Sequence, residues 1–87
     1  MALSFPNSSR SYDETHHRVR FIGHDGIVQV SFYLESDALA RIDAGIRYDE
    51  AMALAVFDKN IELIRSAASK AYRGTRRTLY LLGASAF

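Results

Sequence analysis

The sequence predicts an α+β fold, a two-layer sandwich in which one long helix packs on a small antiparallel or mixed sheet. Residues 49–73 repeat apolar side chains every three or four positions, which is the spacing of an amphipathic helix. Residues 18–34 alternate apolar and polar side chains on both sides of a glycine-containing turn, the pattern of a β-hairpin. With further strands near both ends, the element order is (β)ββααβ, which suits one domain over residues 1–87.

The long helix is predicted as one uninterrupted element. Asp49 suits its N-cap, and Gly74 suits a left-handed position just beyond its last turn. A helix over residues 49–73 would span about 37 Å, against about 30 Å for a compact chain of this size. One end is therefore expected to overhang, to kink or to pack on a second copy, with residues 58–60 as the weak point. Its apolar stripe comprises Leu54, Phe57, Ile61, Ile64, Ala68 and Ala71, widened by Ala53, Val56 and Leu63.

The hairpin is the clearest β-structure in the sequence. Its first strand is predicted over residues 18–22, with Val19 and Phe21 facing the core. Residues 23–26 predict the turn, because glycine and aspartate tolerate a positive φ. The second strand is predicted over residues 27–34, with its apolar side chains on one face.

The remaining elements are shorter. Residues 3–7 are predicted as an edge strand or a tethered tail, because a proline cannot donate to a strand ladder, and residues 8–15 as a polar turn. A short helix is expected over residues 37–42 with Ser36 as its N-cap. Residues 77–82 favour a strand without clean alternation, which predicts burial on both faces in the middle of the sheet.

Composition excludes several classes of protein. The chain of 87 residues contains no cysteine, which excludes a disulfide framework, a thiolate zinc site and a thiol nucleophile. This composition fits a reducing compartment, so a cytoplasmic location is expected. Neither a signal-peptide core nor an apolar run of membrane-spanning length is found in the sequence, and no membrane association is expected.

The formal net charge of +1 conceals an asymmetry. Residues 1–58 carry five basic and nine acidic side chains, whereas residues 59–87 carry six basic and one acidic. Basic residues cluster at the helix end and after it, and they predict a candidate site for nucleic acid or another anion. The alternative is a solvated basic end that suits the helix dipole, and the pI of 8.1 is below that of dedicated nucleic-acid modules. The candidate residues are Lys70, Arg73, Arg76 and Arg77.

No pattern in the sequence predicts catalysis. His16, His17 and His24 have nearby carboxylates, but their spacing is not that of a metal site. The glycines of residues 23–26 lie in a hairpin turn rather than before a helix, so they do not predict phosphate binding. We therefore expect no catalytic residue, no metal and no cofactor; a deep pocket lined by His24, Tyr33 and a carboxylate would favour an enzyme instead.

Short motifs along the chain resemble those of one family. They are Phe5-Pro6-Asn7, Tyr12-Asp13, Val19 with Phe21, Asp25-Gly26 before a strand, and Ser36 with Leu39 at a helix start. With the long alanine-rich helix that follows, the chain resembles the small bacterial proteins grouped as a domain of unknown function, DUF1488. The resemblance covers nearly the whole chain and implies a soluble bacterial α+β protein. It implies no catalytic residue, because the family has none assigned.

The absence of a convergent polar site favours a non-enzymatic interaction or regulatory protein with a protein partner. Nucleic acid is the alternative partner. A homodimer is also expected as an option, because antiparallel pairing of two long helices would set Asp49 and Glu50 near Lys70 and Arg73 of the second copy. The opposite expectation is that the helix stripe packs on the chain's own sheet.

Overall fold

A computed structural model describes residues 3–6, 10–45, 49–75 and 77–87. Within these residues, four strands form one sheet in the order β1-β2-β3-β4; the first two pairs are antiparallel and β3–β4 is parallel. The α+β two-layer fold with a mixed sheet is therefore confirmed, with all three α-helices inserted between β3 and β4. The elements are β1 (Arg10–Asp13), β2 (Arg18–Asp25), β3 (Val28–Leu34), α1 (Ser36–Ile42), α2 (Glu50–Lys59), α3 (Ile61–Thr75), β4 (Leu79–Leu82) and a 3₁₀ helix (Ala84–Ala86).

The core lies between one face of the sheet and the helices. Val19 and Phe21 face inward from β2, as predicted, and the Phe21 ring stacks on Phe32 with centroids 5.2 Å apart. Each large apolar side chain buried in this way stabilises the fold by about 1.5–3 kcal/mol. The buried residues that form this single cluster are Val19, Phe21, Val30, Phe32, Leu34, Ala38, Leu39, Ala53, Val56, Phe57, Ile64, Ala68, Tyr72 and Leu82.

The prediction of one uninterrupted helix is wrong, because α2 ends at Lys59 and α3 begins at Ile61. Asn60 has a ψ of 26°, outside the helical range, and its side-chain amide donates to the carbonyl of Val56 at 2.9 Å. The Val56 carbonyl also accepts the backbone N–H of Asn60 at 3.1 Å, so at the break it is shared between the side chain and the backbone of one residue. The break lies within residues 58–60, the expected weak point.

The two ends of the predicted helix have different outcomes. Asp49 is confirmed as the N-cap, since its Oδ1 accepts a hydrogen bond from the backbone N–H of Ala51 at 3.0 Å. Gly74 is not the left-handed residue beyond the helix, because α3 continues to Thr75. Gly26 is the glycine with a positive φ in the part of the chain that is described.

The predicted stripe is confirmed with one exception. Leu63 is 51% exposed, so it does not widen the apolar face as expected. Of its neighbours, Ile64 is buried and Ile61 is partly buried against the core. The confirmed members, all buried or partly buried against the core, are Ala53, Leu54, Val56, Phe57, Ile61, Ile64, Ala68 and Ala71.

The hairpin turn is shorter than predicted. It consists of Gly26 and Ile27, because Asp25 already pairs with Val28 across the two strands. Gly26 has a φ of 63°, and a glycine at the first position of a two-residue loop is typical of a type II′ turn. The prediction of a turn over residues 23–26 is wrong, because three of these four residues lie in β2.

Gly23 has a packing role instead. It is buried in β2, and a Cβ on it would lie 3.0 Å from side-chain atoms of both Leu3 and Phe5. The Phe5 ring lies 6.1 Å from that of Phe21 and 6.2 Å from that of Phe32, measured between centroids. The missing side chain of Gly23 therefore gives the first described segment access to the core.

Of the two alternatives for the first segment, the described residues 3–6 fit a tethered tail better than an edge strand, and the next segment forms a strand that was not predicted. Within residues 3–6, Ser4 makes a single antiparallel bridge with His24, through two backbone hydrogen bonds of 2.8 Å. The polar turn predicted over residues 8–15 is wrong, because β1 lies inside it and pairs with β2 in register. A strand at the sheet edge needs only one apolar face, and Tyr12 supplies it.

The helix α1 begins one residue earlier than predicted. Ser36 is its first residue rather than its N-cap, and the N-cap is Glu35 without a side-chain hydrogen bond. The backbone N–H of Glu35 donates to the carbonyl of Leu82 at 2.9 Å, so the sheet ladder continues up to the helix start. Glu35 therefore both ends the sheet ladder and serves as the N-cap, and Ser36 becomes the first helical residue.

Candidate interaction surface

The face of the sheet opposite the core carries no buried side chain in the strands that are described. Side chains alternate along a strand, so every residue between the inward positions points to this second face. We call it the outer face. Its central residues are Ser11, Arg18, Arg20, Ile22, Ser31, Tyr33, Leu79 and Leu81.

The strand register arranges these side chains in rows across the sheet. Ser11 pairs with Arg20, Arg20 with Tyr33, and Tyr33 with Leu81, which forms one row from edge to edge. A second row contains Ser31 beside Leu79, and the Arg20 guanidinium donates to the hydroxyl of Ser31 at 3.2 Å. The first row runs from Ser11 of β1 to Leu81 of β4, and the second runs from Ile22 of β2 to Leu79 of β4.

Arg18 is held in place on the outer face by three contacts. Its Nε donates to Asp13 at 3.0 Å and its Nη1 donates to Glu35 at 3.1 Å. Its guanidinium carbon lies 4.0 Å from the centroid of the Tyr33 ring, a cation–π distance. The arginine and the tyrosine are thus ordered before any partner binds.

The histidines are used in local hydrogen bonds. His16 Nδ1 lies 3.0 Å from Asp13, and His17 Nδ1 lies 3.2 Å from the hydroxyl of Tyr12. Desolvation disfavours the ionised form of Asp13, but hydrogen bonds with His16 and Arg18 outweigh it and lower the pKa of Asp13 below its ordinary value. Among the residues that are described, no group of three potential ligands could hold a metal ion.

The strand β4 differs from its prediction in position. It lies at an edge of the sheet beside β3, not in the middle, and it covers only the last four of residues 77–82. Leu79 is 54% exposed and Leu81 is 59% exposed. The lack of alternation in the sequence therefore indicates a strand that is apolar on a solvent-facing side, not a strand buried on both sides.

The basic residues predicted from the sequence are partly placed. Lys70 and Arg73 lie three residues apart in α3, so they project from the same side of the helix, and both are exposed. Arg77 is exposed just before β4, and its backbone N–H donates to the Tyr80 hydroxyl at 2.6 Å. Arg76 lies outside the described residues. None of the three placed cations makes an ion pair with a described residue.

A depression in the surface lies where β1 meets β2. It is lined by Arg10, Ser11, Arg20 and Ile22. Its lining holds two guanidinium groups and no carboxylate, so it differs from the pocket of His24, Tyr33 and a carboxylate that would favour an enzyme. Chemically, this depression and the outer face around it offer hydrogen-bond donors beside apolar surface.

Sequence reasoning placed the outward side chains of the hairpin but missed the surface that they form. The alternation of residues 18–22 predicts that Arg18 and Arg20 face away from the core. It does not predict their neighbours, because the contact of Arg18 with Tyr33 depends on the register between β2 and β3. Leu79 and Leu81 are visible in the sequence as apolar residues that could form part of a surface, but the sequence-based prediction placed them in the core.

Of three comparisons with known proteins, one gives a match. The model of a family described as "Protein of unknown function (DUF1488)" matches residues 3–82, and this bears out the resemblance found in the short motifs. Neither the search of curated proteins nor the search of solved structures gave a match. None of the helices in the described residues combines the length and apolar character needed to cross a bilayer.

Proposed function

Since the chain belongs to the DUF1488 family, whose description names no activity, we propose a function from its surface: a non-enzymatic interaction protein with a regulatory role. It binds a protein partner through the outer face. The proposal includes a cytoplasmic location, which the cysteine-free sequence supports. The following observations support the choice of the outer face over the helical side.

The single observation that carries the proposal is the outer face, which holds no buried side chain in the described strands. All buried side chains of the described residues belong to one cluster on the other side of the sheet. The outer face combines leucine, tyrosine and arginine, and tyrosine and arginine are enriched at protein interfaces and their hot spots. Isolated surface leucines need no explanation, but here Leu81 lies beside Tyr33 of the ordered Arg18–Tyr33 pair, and Leu79 follows two residues away on the same face.

The order of this pair favours binding. Arg18 is fixed by two carboxylates, and its guanidinium covers the Tyr33 ring. Immobilising a long side chain on binding costs about 0.5–1.5 kcal/mol. A partner that contacts these two residues avoids most of that cost, because both side chains are already held.

Affinity capture with matched variants tests this proposal. The full chain, immobilised, is exposed to a lysate of the organism that encodes it, beside Tyr33→Ser, Arg20→Glu and the control Leu63→Ser. The control changes an exposed leucine on α3, away from the outer face. We expect wild type and control to retain the same proteins and the two outer-face variants to lose them. Retention of the same proteins by all four chains, or by none, would contradict the proposal.

A second candidate function rests on the basic residues. Lys70, Arg73 and Arg77 are exposed and lack ion-pair partners among the described residues, which supports binding of nucleic acid or another polyanion. Arg76, adjacent in sequence, belongs to the same candidate set. The moderate pI of 8.1 is the reason that this function stands second.

A gel-shift titration with single-stranded and duplex DNA tests the second candidate. The triple variant Arg73→Ala, Arg76→Ala and Arg77→Ala should lower the affinity and reduce its salt dependence. Lys59→Ala, an exposed cation at the end of α2, is the control and should bind like wild type. No shift at low salt, or a shift that is unchanged in the triple variant, rejects nucleic acid as the partner.

A further inference from the structure

We propose that the β4 edges of two copies of this chain pair antiparallel about a two-fold axis, which joins their sheets into one of eight strands. The dimer expected from the sequence would pair two helix stripes, but this stripe packs on the chain's own core. A second copy therefore needs another surface. The inference goes beyond the proposed function, because it names a second copy and a backbone edge rather than a partner on the outer face.

The open edge of β4 has backbone groups in position for pairing. The carbonyls of Thr78 and Leu82 accept hydrogen bonds from β3 and its extension, at 2.8 and 2.9 Å. Backbone groups point to alternate sides along a strand, so the N–H and C=O groups of Leu79 and Leu81 point away from β3. In the described part of the chain, no strand lies beyond them.

Apart from its short length, this edge has no charged residue and no proline within the strand to prevent pairing. Natural edge strands carry charged residues, proline or a bulge, or are covered by another element. The strand β4 (Leu79–Leu82) contains three leucines and a tyrosine and no charge. Its two exposed leucines would gain apolar cross-strand neighbours in a paired sheet.

One register satisfies both the backbone and the side chains. With Tyr80 on the two-fold axis, Leu79 lies opposite Leu81 of the second copy, and the reverse pair is equivalent. Both pairs are of the hydrogen-bonded kind, so the edge gains four backbone hydrogen bonds. The leucines of both copies then lie side by side on one continuous outer face, whereas a slip of one residue would place them on opposite faces.

Charge complementarity favours the same register. It sets Arg77 opposite Gly83 of the second copy. The carboxylate of Asp37 lies 3.6 Å from the position that a Cβ on Gly83 would take. Arg77 is exposed without a described ion-pair partner, and Asp37 is exposed too. Each dimer therefore brings two cations towards two carboxylates, which fixes register and orientation.

Sedimentation of the full chain tests for the dimer. Four-residue edge pairing buries less than a standard interface of about 1,600 Å², so we expect a concentration-dependent dimer with a Kd on the order of 10 μM. Leu81→Lys should raise the Kd at least about tenfold, because it places a charge opposite a leucine. Leu63→Lys makes the same change at a similarly exposed leucine on α3 and should leave the Kd within about twofold. A monomer at all concentrations, or equal effects of both variants, overturns the proposal.

Cross-linking tests the register without relying on loss of association. The chain has no cysteine, so Leu79→Cys and Leu81→Cys each introduce a single thiol. Opposed Cα atoms in a hydrogen-bonded pair lie about 5.5 Å apart, within the range of a disulfide. Mixing the two variants under oxidation should give mainly the mixed disulfide. A predominance of either homodimeric disulfide, or no cross-link, contradicts this register.

A charge exchange separates this inference from the proposed function. Asp37→Arg leaves the outer face unchanged but should weaken the dimer, and adding Arg77→Asp should restore it. Restoration identifies the paired charges across the two-fold axis; weakening without restoration, or no weakening, overturns the charge pairing. If Asp37→Arg keeps the captured proteins while it weakens the dimer, the outer face and the β4 edge act independently.

Discussion

The two edges of the sheet have opposite chemistry. Arg10 and Asp13 occupy the ends of β1, and both are held in ion pairs, with Asp58 and Arg18 respectively. The strand β4 has no charge and exposes two leucines. One edge is thus protected against strand pairing by charge, whereas the other lacks this protection. The two edge strands have the same length, four residues each, so the difference lies in their side chains.

The β1 edge is also anchored in the core and to a helix. The Arg10 guanidinium donates two hydrogen bonds to the Asp58 carboxylate, at 3.0 and 2.8 Å, which ties β1 to the last turn of α2. Beside β1, Phe5 packs its ring near Phe21 and Phe32. The strand β4 is held in the core by its inward side chains, since Leu82 is buried and the Tyr80 ring stacks on Phe32 with centroids 5.2 Å apart. Changes at Arg10 or Phe5 should therefore affect stability more than changes at the outward-facing leucines of β4.

The largest effect should come from filling the space beside Gly23. The change Gly23→Val forces Leu3 and Phe5 away from β2 and should lower the free energy of unfolding by about 2–3 kcal/mol, measured by urea denaturation. Gly74→Ala is the matched control, because nothing lies within 4 Å of its Cβ position and it sits in a helix; it should stabilise by about 0.5–1 kcal/mol. Equal tolerance of both substitutions would show that the first segment does not fill this space.

A smaller effect should distinguish the edges directly. Phe5→Ala removes a partly buried ring that also lies 5.3 Å from the guanidinium carbon of Arg65, and it should cost about 1–2 kcal/mol, less than the about 3–5 of a fully buried phenylalanine. Leu79→Ala at the other edge should change stability by less than about 0.5 kcal/mol in dilute solution. Thermal unfolding by circular dichroism measures both. If the two costs are equal, the edges are not anchored differently.

The smallest effect concerns pH at the β1 edge. The hydrogen bond from Arg10 lowers the pKa of Asp58 below its ordinary 3.8, so the pair stabilises the fold fully above that pH and less as pH falls through the folded-state pKa. Asp58→Asn should lower the Tm slightly at pH 7, and the difference from wild type should shrink as the pH falls through the lowered folded-state pKa of Asp58. Glu62→Gln, at an exposed acid of α3, should change neither value. A difference that persists at low pH would rule out this ion pair as its cause.

Periodicity predicted the parts of the fold whose burial is regular. The inward side chains of the hairpin and the helix stripe follow from spacing alone, because burial on one face fixes the pattern. The break at Asn60 did not follow, since it depends on one side-chain amide that reaches the Val56 carbonyl. The strand β1 was missed because a short edge strand needs few apolar residues and its sequence resembles a turn.

The candidate surface was less predictable than the fold. Outward arginines are visible in the sequence, but the Arg18–Tyr33 contact is set by pairing between strands, which alternation does not specify. The position of β4 depends on which edge the chain reaches after its helices, and no local pattern determines that choice. The predicted basic site stays a prediction, with Lys70, Arg73 and Arg77 exposed and Arg76 not described.

The glycine at position 23 has a practical consequence for handling the protein. Leu3 and Phe5 fill the space that Gly23 leaves on β2, although they come from a distant part of the chain. Shortening the chain to begin at Arg10 should uncover aromatic rings and promote binding of a hydrophobic dye. A purification tag should accordingly be joined through a flexible spacer, or placed at the other terminus.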